Sequence, residues 1–290
     1  MRCRLCRSEM IYVHGHGACT THACPMFGAN QAECCDGETI EQCPVPTSDL
    51  AAVSPLVLVS PADSLEALCS AIEETPPLPA LLAVARARLD DDPGHDLQHA
   101  LRVTLWTVRI GGDEVKLEHA VAAGLFHDLV NVPKNSPERQ LASSKSADAA
   151  DAVLAANGYR EGERALIRDA IRDHSYSRGA KPASALGRAL QDADRLEALG
   201  VLGMFRTIST GARMGGRYFH ADDPWAEQRE LDDRVFSIDH FFTKLLRLPG
   251  TMCTDAGRRE AKRRAERMRV MLQGLGEELG RAYVPHPSCK

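Results

Sequence analysis

Histidine and aspartate recur in three short stretches of this chain at spacings that could hold a metal ion. GHDLQHALRV carries His95 and His99 four residues apart, with Arg102 three further on. On a helix these three share one face. FHDLVNVPKN carries His127 and Asp128 side by side, followed by Lys134. QDADRLEALG carries Asp192, Asp194 and Arg195. A His-Asp pair at the end of an apolar helix is costly to bury unpaired. A divalent cation offsets that cost, because neutral imidazole and carboxylate are ordinary metal ligands. Each stretch alone also has a plain reading: a solvated helix face, a surface dipeptide, an ion-paired helix end. What carries the metal reading is their order in an all-helical setting. A His is followed by His-Asp about 28 residues later and by Asp about 66 residues after that.

A second set of ligand types crowds the start of the chain. There are ten cysteines, and seven of them fall in the first 43 residues: Cys3, Cys6, Cys19, Cys24, Cys34, Cys35 and Cys43. Cys3 and Cys6 form a CxxC; twelve residues later Cys19 and Cys24 form a CxxxxC. Two short pairs joined by a hairpin-length spacer are what a tetrahedral thiolate site for structural Zn²⁺ needs. His14, His16 and His22 are spare nitrogen donors, and Cys34 and Cys35 are the next thiols in line. A disulfide-bonded segment or a redox-sensitive tail is the alternative. Tyr12 and Phe27 are the segment's only aromatics, so core burial alone cannot hold it, and metal binding would supply the folding energy. No position looks left open for catalysis. The segment therefore reads as a binding or structural module resembling a small zinc ribbon.

Both sets need a scaffold. The chain has 290 residues, 44% hydrophobic and 26% charged, enough apolar material for a sizeable core. Lys and Arg number 35 against 40 Asp and Glu, a net charge of −5, which excludes a strongly basic nucleic-acid footprint over the whole chain. No apolar run approaches the roughly 18–20 residues of a membrane span, so no membrane partner is expected. The N-terminus lacks the charged-then-apolar layout of an export signal, which predicts a cytoplasmic protein. Three parts follow: a Cys-rich module at 1–43, a proline-rich linker at 44–61 and a helical domain at 62–285. Apolar periodicity predicts helices over 62–74, 78–91, 96–110, 118–130, 136–156, 161–173, 184–205, 226–248 and 254–283. The segment 118–130 is apolar nearly all round and should be the buried central helix. The Gly-rich, aromatic stretch 211–225 reads as a functional loop, in which Tyr218, Phe219 and His220 could stack on a base or anchor the loop. The run from Arg258 to Arg269 reads as a solvated helix face.

The ordered set H…HD…D resembles the HD-domain metal-dependent phosphohydrolases, over roughly residues 65–285. The strings HDLQHALRV, FHDLVNVPKN, DHSYSRG, QDADRLEALGVLG and DHFFTKLLRLPGTMCTDAGRREAKRR are similar to the bacterial subgroup of small HD hydrolases related to nucleotide pyrophosphohydrolases. The resemblance implies an all-α HD helical bundle. It makes His99, His127, Asp128 and Asp194 the metal ligands, Asp194 being preferred to Asp192 because it directly precedes the Arg. Such a ligand set suits Mn²⁺, Mg²⁺ or Co²⁺. The implied activity is hydrolysis of a nucleotide or related small phosphate ester, most sharply pyrophosphohydrolysis of a nucleoside triphosphate. The alternatives are a phosphomonoesterase or nucleotidase, or a non-catalytic regulator whose zinc module binds a partner that the sequence does not identify. Lys134, Arg139, Arg102 and Arg195 are candidate cations along the phosphate path. Arg102 and Arg195, with Asp192, could instead orient the ligands. His174 could donate to a leaving phosphate, and His95 could face the pocket or cap its helix. Some relatives carry an acid/base carboxylate just after the dyad. Here Leu129, Val130 and Asn131 follow it, so the proton-transfer role has no candidate.

Overall fold

Ser64, Asp96, Ser184 and Thr254 each stand just before an apolar-periodic run, and each side chain accepts a backbone N–H three residues on. Such caps satisfy donors that a helix start leaves open. The computed structural model describes residues 2–3, 5–13, 16–21, 24–25, 60–89, 94–130, 132, 141–175 and 178–286. Lys134, Arg139, His14, His22, Cys34, Cys35, Cys43 and the proline-rich stretch up to residue 59 lie outside the described residues.

The chain divides into two units, Met1–Leu58 and Val59–Lys290. In the first, β1 (Met10–Val13) and β2 (His16–Cys19) pair antiparallel, with Met10 opposite Cys19 and Val13 opposite His16. Among the described residues, the regular elements of the second unit are all helices. Its helices are α1 (Leu65–Glu74), α2 (Leu78–Arg88), α3 (Leu97–Gly111), α4 (Leu117–Phe126), α5 (Ala142–Ala156), α6 (Glu161–Asp173), α7 (Ala185–Leu196), α8 (Gly200–Arg213), α9 (Ser237–Thr243) and α10 (Asp255–Glu278). A 3-10 helix, Leu245–Thr251, joins the last two. No described helix is long and apolar enough to cross a membrane.

Helix α4 is the central element. Every residue from His119 to Phe126 is buried. A Cβ on Gly124 would lie 2.3 Å from Thr104 Oγ1 and 2.7 Å from the Thr104 Cα, so only glycine lets α4 press onto α3 this closely. One apolar core is built on α1 to α7, and a second gathers Leu196, Trp225, Phe241, Phe242 and the inner face of α10. Trp106 and Ile110 pack against both. Burying Phe241 and Phe242 fully is worth roughly 1.5–3 kcal/mol each.

Four expected helices differ from the structure. The single helix over 184–205 is two, because Gly200 takes φ +72° and turns the chain between α7 and α8. The helix over 226–248 is confined to α9 and the following 3-10 turn. Polar groups hold 226–236 in another shape: Asp223 accepts the Glu227 and Gln228 N–H groups, and Arg229 makes a forked ion pair with the buried Asp239. Such local side-chain bonds compete with helix formation. The helix over 118–130 ends at Phe126, which leaves the His-Asp pair on the turn beyond it. The last helix stops at Glu278, short of 283, where Gly280 takes φ +63°.

Candidate metal centre

Three elements bring the chemistry together. Asp96 caps α3 by accepting the His99 N–H at 2.7 Å, which sets His99 in the first turn facing α4. The close α3–α4 approach at Gly124 places His127 beside it. The Nε2 atoms of His99 and His127 lie 3.2 Å apart. Asp128 Oδ2 is 3.4 Å from His127 Nε2 and 3.9 Å from His99 Nε2. Asp194, on α7, brings Oδ1 to 3.6 Å from His99 and 3.9 Å from His127. With metal–ligand bonds of about 2.1 Å, neighbouring donor atoms lie about 3.0 Å apart in an octahedron and about 3.4 Å in a tetrahedron. Of the five separations, 3.2 and 3.4 Å match these edges and 3.6–3.9 Å are slightly longer.

The ring tautomers give an independent test of fit. His127 Nδ1 is 2.8 Å from the Gly124 carbonyl, which can only accept, so Nδ1 carries the proton. His99 Nδ1 faces the Glu197 carboxylate at 3.5 Å, which favours the same tautomer. Both Nε2 atoms then point lone pairs at each other across 3.2 Å, between two carboxylates. That arrangement is repulsive unless a cation lies among them, and it is the usual way a protein presets histidine ligands. Burial above all, and then the neighbouring His174 and His99, push the His127 pKa down to about 4, so the ring is neutral at neutral pH. Burial alone would raise Asp128, but His127, His174 and His95 outweigh it and hold the carboxyl well below its ordinary value. Asp194 is lowered in the same way, chiefly by His127 and His174 against burial.

Other expected residues fall into distinct places. His174 is buried; its Nδ1 donates to the Ile171 carbonyl at 2.6 Å and its Nε2 faces Asp128 Oδ1 at 3.7 Å. His127, Asp128 and His174 thus form a second triad able to hold a metal, sharing His127 with the triad of His99, His127 and Asp194. His95 lies at the rim, a quarter exposed, with Nε2 3.9 Å from Asp128 Oδ2. It does not cap α3, since Asp96 does. Arg102 donates from Nε to Glu197 Oε2 at 2.8 Å.

Asp192 sits elsewhere. Residues 192 and 194 are about 200° apart around a helix. The Asp192 carboxylate accepts the Cys253 and Thr254 N–H groups and the Thr254 hydroxyl at 2.7–2.8 Å, tying α7 to the start of α10. Arg195 donates to the Thr251 carbonyl and so helps fix the same junction. His119 is buried and faces Glu163 at 3.7 Å, a packing role.

One participant escaped the motif reading. Glu197 is 1% exposed and links His99 to Arg102, with Arg264 Nη1 4.0 Å from its other oxygen. Burial would raise its pKa, but His99 and Arg102 hold it at about 2. Its place one turn after Asp194 was the available signal. Arg264 is itself buried, against the expectation of a wholly solvated α10 face, and donates to Glu260 and to the Leu196 carbonyl.

A cleft of about 420 Å³ opens between α8 and α9, lined among others by Arg206, Thr207, Thr210, Ser237, His240 and Lys244. Arg206 donates to the carbonyl of Gly94, the residue before His95. Tyr218 is exposed, Phe219 packs on the second core, and His220 accepts the Asp222 and Asp223 N–H groups, so of the three only Tyr218 is free to stack.

Comparison with known proteins fits this geometry. Residues 96–199 match the family described as HD domain. Over 189 residues the chain is 34% identical to YpgQ of Bacillus subtilis (strain 168), an uncharacterized protein, covering 63% of this chain and 82% of YpgQ. The structure of Bacillus subtilis YpgQ in complex with ADP aligns at TM-score 0.52 and 26% identity, covering 72% of this chain and 95% of that one. An HD-superfamily hydrolase from Bacillus thuringiensis aligns at TM-score 0.53 and 26% identity, covering 73% and 98%.

Proposed function

The chain belongs to the HD-domain hydrolase family, and from that premise we propose a cytoplasmic, metal-dependent phosphohydrolase acting on nucleotides. The sharpest form of the reading is hydrolysis of a nucleoside triphosphate to the monophosphate and pyrophosphate. The observation that carries it is the inward-aimed set of His99, His127, Asp128 and Asp194, with the imidazole tautomers preset by Gly124 and Glu197. Held by these four residues, Mn²⁺, Mg²⁺ or Co²⁺ would supply Lewis acidity toward a phosphoryl oxygen and toward the attacking water. Water adds at the α-phosphorus, the bond to the bridging oxygen breaks, and pyrophosphate leaves.

His174, anchored at Ile171, holds its outer nitrogen toward Asp128; as an imidazolium it would donate to the leaving pyrophosphate. His95 borders the same carboxylate from the rim. Arg102 acts through Glu197 rather than on phosphate. Lys134 and Arg139, which follow the dyad closely in sequence, are assigned to the triphosphate as cations. The cleft at Arg206 has the volume and mixed polarity of a small-molecule site and is assigned to the nucleoside. The ADP bound to YpgQ supports a nucleotide ligand.

The test is a panel of nucleotides with Mn²⁺, Mg²⁺ and Co²⁺, read separately for phosphate and pyrophosphate. Metal-dependent release of pyrophosphate is expected, falling at least about a hundredfold in His127→Ala and Asp128→Ala. Release of phosphate alone would favour the phosphomonoesterase or nucleotidase. No metal-dependent turnover, with loss of a binding partner in a Cys3→Ser, Cys6→Ser variant, would favour the regulator.

A further inference from the structure

Cys3, Cys6, Cys19 and Cys24 converge in the first unit, each sulfur within 4.8 Å of the others. Cys3 and Cys24 are 3.9 Å apart and Cys6 and Cys19 are 3.5 Å apart. Neither pair is a disulfide, which needs about 2.05 Å. Four sulfurs at about 2.3 Å from one zinc ion lie about 3.8 Å from each other, the edge of the tetrahedron. The two measured edges bracket that length.

The backbone around the sulfurs is arranged in two matching turns. Arg7 donates its N–H to the Cys3 carbonyl and takes φ +64°, a conformation rare outside glycine. Ser8, two residues after Cys6, accepts the Cys3 N–H through its carbonyl at 2.9 Å. Thr21, two residues after Cys19, accepts the Cys24 N–H through its carbonyl at 2.9 Å. The Thr21 hydroxyl donates to the Ser8 hydroxyl at 2.7 Å, linking the turns. Among the described side chains, the buried cluster of this unit consists of these cysteines alone. No aliphatic or aromatic side chain in that cluster offers a core to replace them.

We propose that Cys3, Cys6, Cys19 and Cys24 hold one Zn²⁺ as a closed tetrathiolate centre, separate from the His/Asp site, whose work is to fold the first unit. Binding displaces the thiol protons to solvent and changes no oxidation state. With four sulfurs on the ion no position remains for water, so the centre is structural. A soft thiolate set also selects against the hard cations suited to the other site.

The experiment loads the reduced, full-length chain with Co²⁺, whose thiolate charge-transfer absorption reports sulfur ligation and is silent for His and carboxylate. A strong band is expected in the wild type and unchanged in His127→Ala, and one equivalent of Zn²⁺ should abolish it. Cys6→Ser should weaken the band, and Cys6→Ser with Cys19→Ser should remove it. In parallel, Zn²⁺ should slow the reaction of four of the ten thiols with a thiol reagent at least about tenfold. A chain without the band, or with the band intact after both substitutions, overturns the assignment. Neither readout depends on hydrolysis, so failure here is distinct from failure of the proposed activity.

Discussion

At the Nδ1 edge of His99, the Glu197 carboxylate both favours the ring tautomer and receives Arg102 at 2.8 Å. Glu197→Gln keeps the volume but can present an NH₂ group to Nδ1, which favours the opposite tautomer and blocks the inward lone pair. The expected outcome is metal affinity about 10–100-fold weaker, with turnover largely restored at saturating metal. A metal titration of activity, or calorimetry with the metal alone, checks this; unchanged affinity would remove Glu197 from the site. The residues that meet in the His/Asp cluster were legible because His127 and Asp128 are adjacent and Asp194 directly precedes an Arg. Glu197 was not, because its partner Arg102 is 95 residues away and a place one turn after Asp194 is equally that of an ordinary helix-end charge. The converse holds for Asp192, which shares a motif with Asp194 but points to the α10 start.

The break between α7 and α8 sets where Asp194 and Glu197 end up, and Gly200 makes that break. At φ +72° an L residue is strained by roughly 1–2 kcal/mol. A Cβ there would also meet the Arg264 side chain at 3.3 Å. Arg264 holds the Leu196 carbonyl and borders Glu197, so strain at Gly200 reaches the site's supporting shell. Gly200→Ala should lower stability by about 1–2 kcal/mol in a denaturant titration. It should weaken metal binding more than Gly216→Ala, a control on the loop after α8. Equal stability to the wild type would mean another residue sets the break. Helical periodicity located both ends of α3 and α6, and the starts of α4 and α7, to within one residue. It failed at 226–236, where the residues have helix-compatible composition but the Arg229–Asp239 fork draws them into a loop. Periodicity records apolar faces and is blind to a buried ion pair formed ten residues apart.

Two candidate metal sites lie in one chain, and their donor sets make opposite demands. The His/Asp cluster suits a hard or borderline cation and leaves positions for substrate, whereas the Cys cluster suits a soft one and leaves none. The sequence mixes their residue types, yet the structure keeps them in separate units, with every described side chain of the His/Asp cluster after Val59. The described apolar core of the second unit begins in α1 and is supplied wholly by that unit. The Bacillus thuringiensis hydrolase aligns over 98% of its length with only 73% of this chain, so a complete HD fold does not require the remainder. A chain beginning at Val59 should therefore stay helical and hydrolyse nucleotide with the same metal dependence, within about twofold of the full-length rate. It should also lose the cobalt–thiolate band. The measurement is steady-state turnover on both chains, with circular dichroism to verify folding. A truncated chain that is folded but about tenfold slower would mean that the Cys unit contributes to the hydrolytic site, and the two metals would then have to be treated as one system.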